Sequence, residues 1–278
     1  MLAAAASVGL DAFPFHIHPE LIGVGLALAI GYVYGLRRLA PRYAPHDEPA
    51  VTGRQIAWFV SGLVLLIGVE GWPIHDVAEG SLLSVHMFEH LVIGLIVPPA
   101  LLKGIPWWLL RLLVKPFLPV LRVLTKPIVA LILFNGTLAF MHAPAMVDLS
   151  LRNEFAHFLI HATLMATSAL MWWPVLGPIP DLPKLPPFMA MGYLFIQSLV
   201  PTIPASFLTF ADRPLYHVYE TLPRLWGIPV LNDQVVSGLI MKIGGGLVLW
   251  TAITVVFFKW AFEEERADHR ARVRLSTR

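Results

Sequence analysis

The sequence predicts an all-α, polytopic membrane protein with seven transmembrane helices, the amino terminus outside and the carboxyl terminus in the cytoplasm. Three observations carry that expectation. Of 278 residues, 57% are hydrophobic and only 14% charged, and the mean hydropathy is +0.70, too apolar for a soluble globule. Apolar runs of roughly 20 residues, the length that crosses a bilayer core, recur along the chain. Lys and Arg then fall on alternate connections. With the amino terminus outside, 16 lie in cytoplasmic segments and only three (Arg152, Arg213 and Arg224) outside, with Lys242 inside a span. That asymmetry sets the orientation.

In chain order, residues 1–12 are mildly apolar but lack the basic start of a secretory leader. The first span is expected over 20–36, followed by Arg37, Arg38 and Arg42 and a polar linker. Residues 56–71 and 85–102 are the second and third spans. Residues 103–126 interleave Trp107, Trp108 and leucines with Arg111, Lys115, Arg122 and Lys126. This suits an amphipathic segment lying in the cytoplasmic interface, broken at Pro116 and Pro119. Residues 127–142 are a shorter fourth span, with Pro127 at its first position. The fifth covers 154–173 behind an Asn153 cap, and a proline-rich connector, 174–187, is too broken for a helix. Residues 188–210 form the sixth span, kinked by Pro201 and Pro204. The seventh starts at Asn232 or Asp233 as its cap and reaches about Phe262. The chain thus reads as one seven-helix domain, 1–262, with a basic cytoplasmic tail, 263–278.

The functional signal lies in the histidines. His86 and His90 open the third span and His157 and His161 the fifth, each pair four residues apart on one helix face. By the Lys/Arg topology, His16, His18, His75, His86, His90, His142, His157, His161 and His217 all fall at the outer side, and only His46 and His269 inside. A single interfacial histidine is satisfied by lipid headgroups or loop carbonyls. Two same-face pairs at one depth are the pattern of a helix-borne ligand site. There is no cysteine, which removes disulfides, thiolate metal sites and covalent haem attachment. Imidazole suits zinc, copper, iron and nickel, and thioether adds a preference for reduced copper. Met87 adjoins the first pair and Met141 adjoins His142. The expected metal ligands are therefore His86, His90, His157, His161, His142 and Met87, with copper as the expected ion and zinc or haem as the weaker alternatives.

Residues 86–90 also read H-x-x-E-H, the inverted zincin pattern, with Glu89 as a general base. That reading needs a third ligand, a water position and a soluble domain, so no catalytic residues are assigned. Lys242 lies about 13 Å down the seventh helix from Asp233 at 1.5 Å per residue. Pairing with Glu89 or Glu70 would lower its cost, as would snorkelling to the interface. Trp107, Trp108, Trp172 and Trp173 read as cytoplasmic aromatic-belt anchors. The lipid bilayer is the expected surrounding, with no nucleic-acid partner.

Across most of the chain, from His18-Pro19-Glu20 to the seventh helix, the sequence resembles the integral-membrane cytochrome c oxidase assembly factors of the CtaG type, associated with caa-type oxidases. The resemblance is carried by Ser84-Val85-His86-Met87-x-x-His90-Leu91, Pro98-Pro99, Asn153-x-x-x-His157-x-x-x-His161, Trp172-Trp173-Pro174, Pro214-Leu215-Tyr216 and Asp233-Gln234-x-x-x-Gly238. It implies a non-enzymatic protein of the bacterial plasma membrane that helps mature a haem-copper oxidase by passing copper to its catalytic subunit. In the family it resembles, Gln often stands at the position of Glu89 and an apolar or aromatic residue is usual at that of Lys242, and these departures imply a Glu89–Lys242 charge pair in this chain. The competing class is a membrane redox or transport protein carrying haem or metal through the same histidines.

Overall fold

The structure is a computed structural model that describes residues 7–182 and 184–276. Among these residues the chain is almost entirely helical. Five helices are long and apolar enough to cross a membrane, or seven if each of two bent pairs counts as one span. The chain is a multi-pass membrane protein.

Helix α1, Pro19–Tyr43, begins with proline at its first position and contains a wide, π-type turn at Gly35–Leu39. Helix α2, Gly53–Val69, starts a turn earlier than hydropathy suggests because Thr52 and Gln55 form a reciprocal capping box. It bends by 41° into α3, Ile74–Gly80, so the second span ends in a short, tilted segment carrying His75, Asp76 and Glu79. Helix α4, Leu83–Gly104, follows, with a second wide turn at Val92–Ile96 just beyond His90.

The segment expected at the interface folds as α5, Trp107–Val114, a 3-10 turn at Lys115–Phe117 and α6, Leu118–Leu124. It meets α7, Pro127–Met141, at 90°. A short α8, Pro144–Arg152, leads to α9, Glu154–Leu176, where the Asn153 side chain accepts from the Ala156 N–H at 2.9 Å as the cap rule expects. Contrary to expectation, α9 runs on through Pro174 and stops only at Gly177, whose left-handed backbone (φ 50°, ψ 59°) closes the helix. The sixth span divides at Pro201 into α10, Pro187–Leu199, and α11, Thr202–Phe210. A short α12, Val218–Thr221, precedes α13, which starts as Val230–Leu239, widens at Ile240–Gly244 and continues as Gly245–Ser276. The stretch expected as a separate tail is thus helical as far as residue 276.

The core joins Leu66, Val92, Ile93, Phe134, Leu164 and Leu194. Trp172 and Trp173 belong to it as well, 4% and 5% exposed, so they are packing residues and not lipid-facing anchors. Trp108 is also buried and donates to the Ala50 carbonyl at 2.8 Å, which leaves Trp107 as the exposed ring of that group. Helices α2 and α4 approach closely where a Cβ on Gly104 would overlap the backbone of Phe59. Tyr32 stacks on Phe59 there and donates to the Gly104 carbonyl at 3.1 Å.

Asp233 does not cap its own helix. Its carboxylate accepts from the backbone N–H groups of Leu83 and Ser84, each at 2.9 Å, and so caps the amino end of α4 across 150 residues of sequence. Arg224 pairs with the same carboxylate at 2.8 Å and donates to the carbonyls of Ser81 and Ile228. This buried knot fixes where the first histidine pair starts.

Candidate metal centre

The i, i+4 spacing puts His86 and His90 one turn apart on α4, and His157 and His161 one turn apart on α9. The two faces meet. The His90 and His161 Nε2 atoms lie 3.0 Å apart, and the His86, His90 and His161 ligand atoms all fall within 4.8 Å of one another. His157 packs on this triple, its ring centroid 4.1 Å from His161 and 5.5 Å from His86. All four sequence-predicted pair members therefore converge. His86, His157 and His161 are 3–4% exposed, too buried to reach headgroups.

A ring of carboxylates holds the imidazoles. His161 Nδ1 faces both Glu70 oxygens at 2.9 and 3.0 Å, which turns its Nε2 toward His90. Glu79 lies 2.5 Å from His157 Nδ1 and 3.7 Å from His75 Nε2, bridging the two rings. The His157 contact has ion-pair distance without hydrogen-bond geometry, since that nitrogen has no directed partner. Glu89, fully buried, faces His75 Nδ1 at 2.7 Å. Glu79 escaped the sequence reading, and Glu70 and Glu89 entered it in other roles. The signal for Glu79 was its i, i+4 relation to His75, hidden because 74–80 is too short to read as helix.

His142 and Met87 form an adjoining ledge. His142 Nε2 contacts the Met87 sulfur at 3.4 Å and its Nδ1 bonds the Leu138 carbonyl at 2.6 Å, with the ring 6.3 Å from His90. His217 is elsewhere, exposed beside Glu220. Nor does the expected charge pair form. Lys242 is exposed, its ammonium 5.9 Å above the Phe210 ring, and among the described residues no carboxylate lies within salt-bridge distance of it.

The donor chemistry fits a metal ion. His86 Nδ1, His90 Nδ1, both His157 nitrogens and Glu89 Oε2 are buried without a directed hydrogen-bond partner, a costly arrangement for groups that could otherwise be satisfied. Three neutral imidazoles with carboxylates behind them suit Cu(II) or zinc, and the Met87–His142 ledge adds a softer donor pair. The inverted zincin reading gains a third ligand in His161. Its would-be base, Glu89, faces His75 in a fully buried position.

Uncharacterized proteins of Mycobacterium leprae and Mycobacterium bovis are each 25% identical to this chain, over 92% and 90% of its length. The chain spans about 40% of the length of these relatives. No solved structure matches. The model of one protein family, cytochrome c oxidase caa3 assembly factor, matches residues 30–263, which take in the buried imidazoles, the carboxylates around them and all three wide turns. On that match the chain belongs to the caa3 cytochrome c oxidase assembly factor family, Caa3_CtaG.

Proposed function

We propose that this protein is a non-catalytic assembly factor of the bacterial plasma membrane that holds copper among His86, His90 and His161 and hands it to the catalytic subunit of a haem-copper oxidase. The observation that carries the reading is the convergence of two helix-borne histidine pairs in a buried, carboxylate-backed group with unpartnered donor atoms. The Lys/Arg distribution argues that this end of the bundle faces outside.

The chain's residues divide the work. His86, His90 and His161 would be the first ligands, and Glu70 holds His161 in the tautomer that leaves Nε2 free. Glu79, between His75 and His157, supplies negative charge that favours a bound cation over an empty nest of imidazoles. Met87 and His142 lie next to the triple, so a cuprous ion could exchange imidazole for thioether without leaving the pocket. The packing favours a bare ion over haem. The His90 and His161 Nε2 atoms face each other at 3.0 Å with other rings against them, which leaves no space for a flat macrocycle between the two histidines.

The test is metal content and the absorption spectrum of the detergent-purified protein after exposure to Cu(I) and to zinc, beside the His86→Ala/His90→Ala variant. Stoichiometric copper in the wild type, lost in the variant together with copper loading of the oxidase while the variant stays in the membrane, is the expected outcome. Absence of metal from the wild type, or normal oxidase loading by the variant, would overturn the proposal, and an intense haem band would point to the redox alternative.

A further inference from the structure

The buried triple is the inner end of a longer row of ligands. His16 and His18 lie on the segment that precedes α1, and Asp76 on α3. His18 Nε2 is 3.1 Å from Asp76 Oδ2 and His16 Nδ1 is 3.8 Å from Asp76 Oδ1, with the three ligand atoms within 4.8 Å of one another. Side-chain exposure is 66% at His16, drops to 11% at His18 and 12% at His75, and reaches 4% at His157. Ring centroids step inward at 4.8 Å (His16 to His18), 4.9 Å (His18 to His75), 5.1 Å (His75 to His157) and 4.1 Å (His157 to His161). No gap interrupts the row.

The segment that carries His16 and His18 is fastened at several points. Ser7–Val8 pairs as a strand with Arg224–Leu225. Trp72 Nε1 donates to the Phe13 carbonyl at 3.0 Å, and the Phe15 ring packs edge-on against Trp72. Phe13 sits over Gly80, where a Cβ would come within 2.8 Å of its ring. These contacts hold two imidazoles against a carboxylate at the solvent edge, which is preorganisation that a loose terminal segment lacks.

We propose that His16, His18 and Asp76 form a second, solvent-facing site for a borderline divalent cation such as Cu2+ or Zn2+, and that His75 and Glu79 pass the ion from there to the buried histidines. The inference rests on the buried group being a metal site. Two imidazoles and a carboxylate leave coordination positions open to water or to an arriving donor, as a transfer site requires. Passage is ligand exchange, with each donor replaced by the next, no change of oxidation state and no co-reactant. Glu79 touches both His75 and His157 and so bridges the widest step of the row.

The experiment is zinc titration of the full chain in detergent, with a time course of uptake against a competing chelator, for the wild type, His16→Gln, His16→Gln/His18→Gln and His86→Ala/His90→Ala. The wild type should take up about two equivalents and the double Gln variant about one, filled at least about tenfold more slowly. His16→Gln alone removes an exposed ligand and should weaken the second equivalent without lowering the melting temperature. Wild-type stoichiometry and rate in both Gln variants, or loss of both equivalents with a lowered melting temperature, would overturn the outer site. In the first case the buried site would still stand on the behaviour of His86→Ala/His90→Ala. No uptake by the wild type would remove the buried site and this proposal with it.

Discussion

At one end of the bundle the ionisable groups are short, buried and tied to one another; at the other they are long and reach out. His86, His161 and Glu89 are 0–4% exposed among helices α2, α3, α4 and α9. Lys103, Lys184 and Lys259 instead surround an open depression with Trp58, Trp107 and Trp260, and Lys103 lies 4.9 Å above the Trp58 ring. A lysine stem covers apolar surface and carries its charge to the interface. An imidazole has no such reach, so at that depth it must find a partner among its neighbours. The difference teaches that charge near a membrane surface is ordinary when the side chain can leave, and points to ligand chemistry when it cannot.

The largest expected effect tests how the histidine end is held. Asp233→Ala would leave Arg224 buried without its carboxylate and remove the cap on α4, costing about 3–5 kcal/mol. A melting temperature close to wild type in detergent would break the claim that this knot sets the position of His86 and His90. Next is the close helix approach at the opposite end. Gly104→Ala should cost about 1–3 kcal/mol through overlap with Phe59, while the metal uptake proposed for the histidine end is retained in whatever fraction stays folded. Metal loss from the folded fraction would show that the two ends do not act separately.

The smallest effect is the exposed pair of Arg111 and Asp181, where the guanidinium meets both carboxylate oxygens at 2.6 and 3.1 Å. The Arg111 hydrogen bonds hold the Asp181 carboxyl below its usual value. A depressed folded value means that the contribution is present above the unfolded pKa and is lost as pH falls through the folded one. Wild type and Asp181→Asn should therefore differ slightly in melting temperature at neutral pH and converge in acid. A difference that grew in acid would contradict the pairing.

Much of the histidine centre was legible because helical spacing alone aligns His86 with His90 and His157 with His161. That the two faces would meet needed only that the helices be neighbours. The carboxylates were not legible in the same way. Glu70 sits in the bend between α2 and α3, and Glu79 on a helix of seven residues, so no periodicity marks either as inward-facing. Asp233 followed the pattern of a local cap and serves a distant helix, because a buried carboxylate goes to whichever free N–H groups tertiary packing brings near. Trp172 and Trp173 misled for a related reason: aromatic pairs before a proline-rich turn suit a membrane interface, but this helix continues and buries them. Lys242 resisted reading because a long side chain chooses its partner by rotamer, which sequence does not record.

The wide turn at Ile240–Gly244 packs against the Leu83–Leu91 part of α4, which leads into the wide turn at Val92–Ile96, with Leu91 packed where a Cβ on Gly244 would be. Such a turn is one residue inserted into a helix, and one residue is about 100° of rotation. In α4 the insertion falls just after His90, so the ligand-bearing face above it and the core-facing side below it are phased independently. Deleting Gly94 from the Val92–Ile96 turn would keep every histidine, every large hydrophobic residue and the helix itself. It would also swing His86 and His90 about a quarter turn away from His161. The geometry of the imidazole group is thus encoded partly as a count of residues, and chain length in this turn constrains the group as firmly as the identity of its histidines.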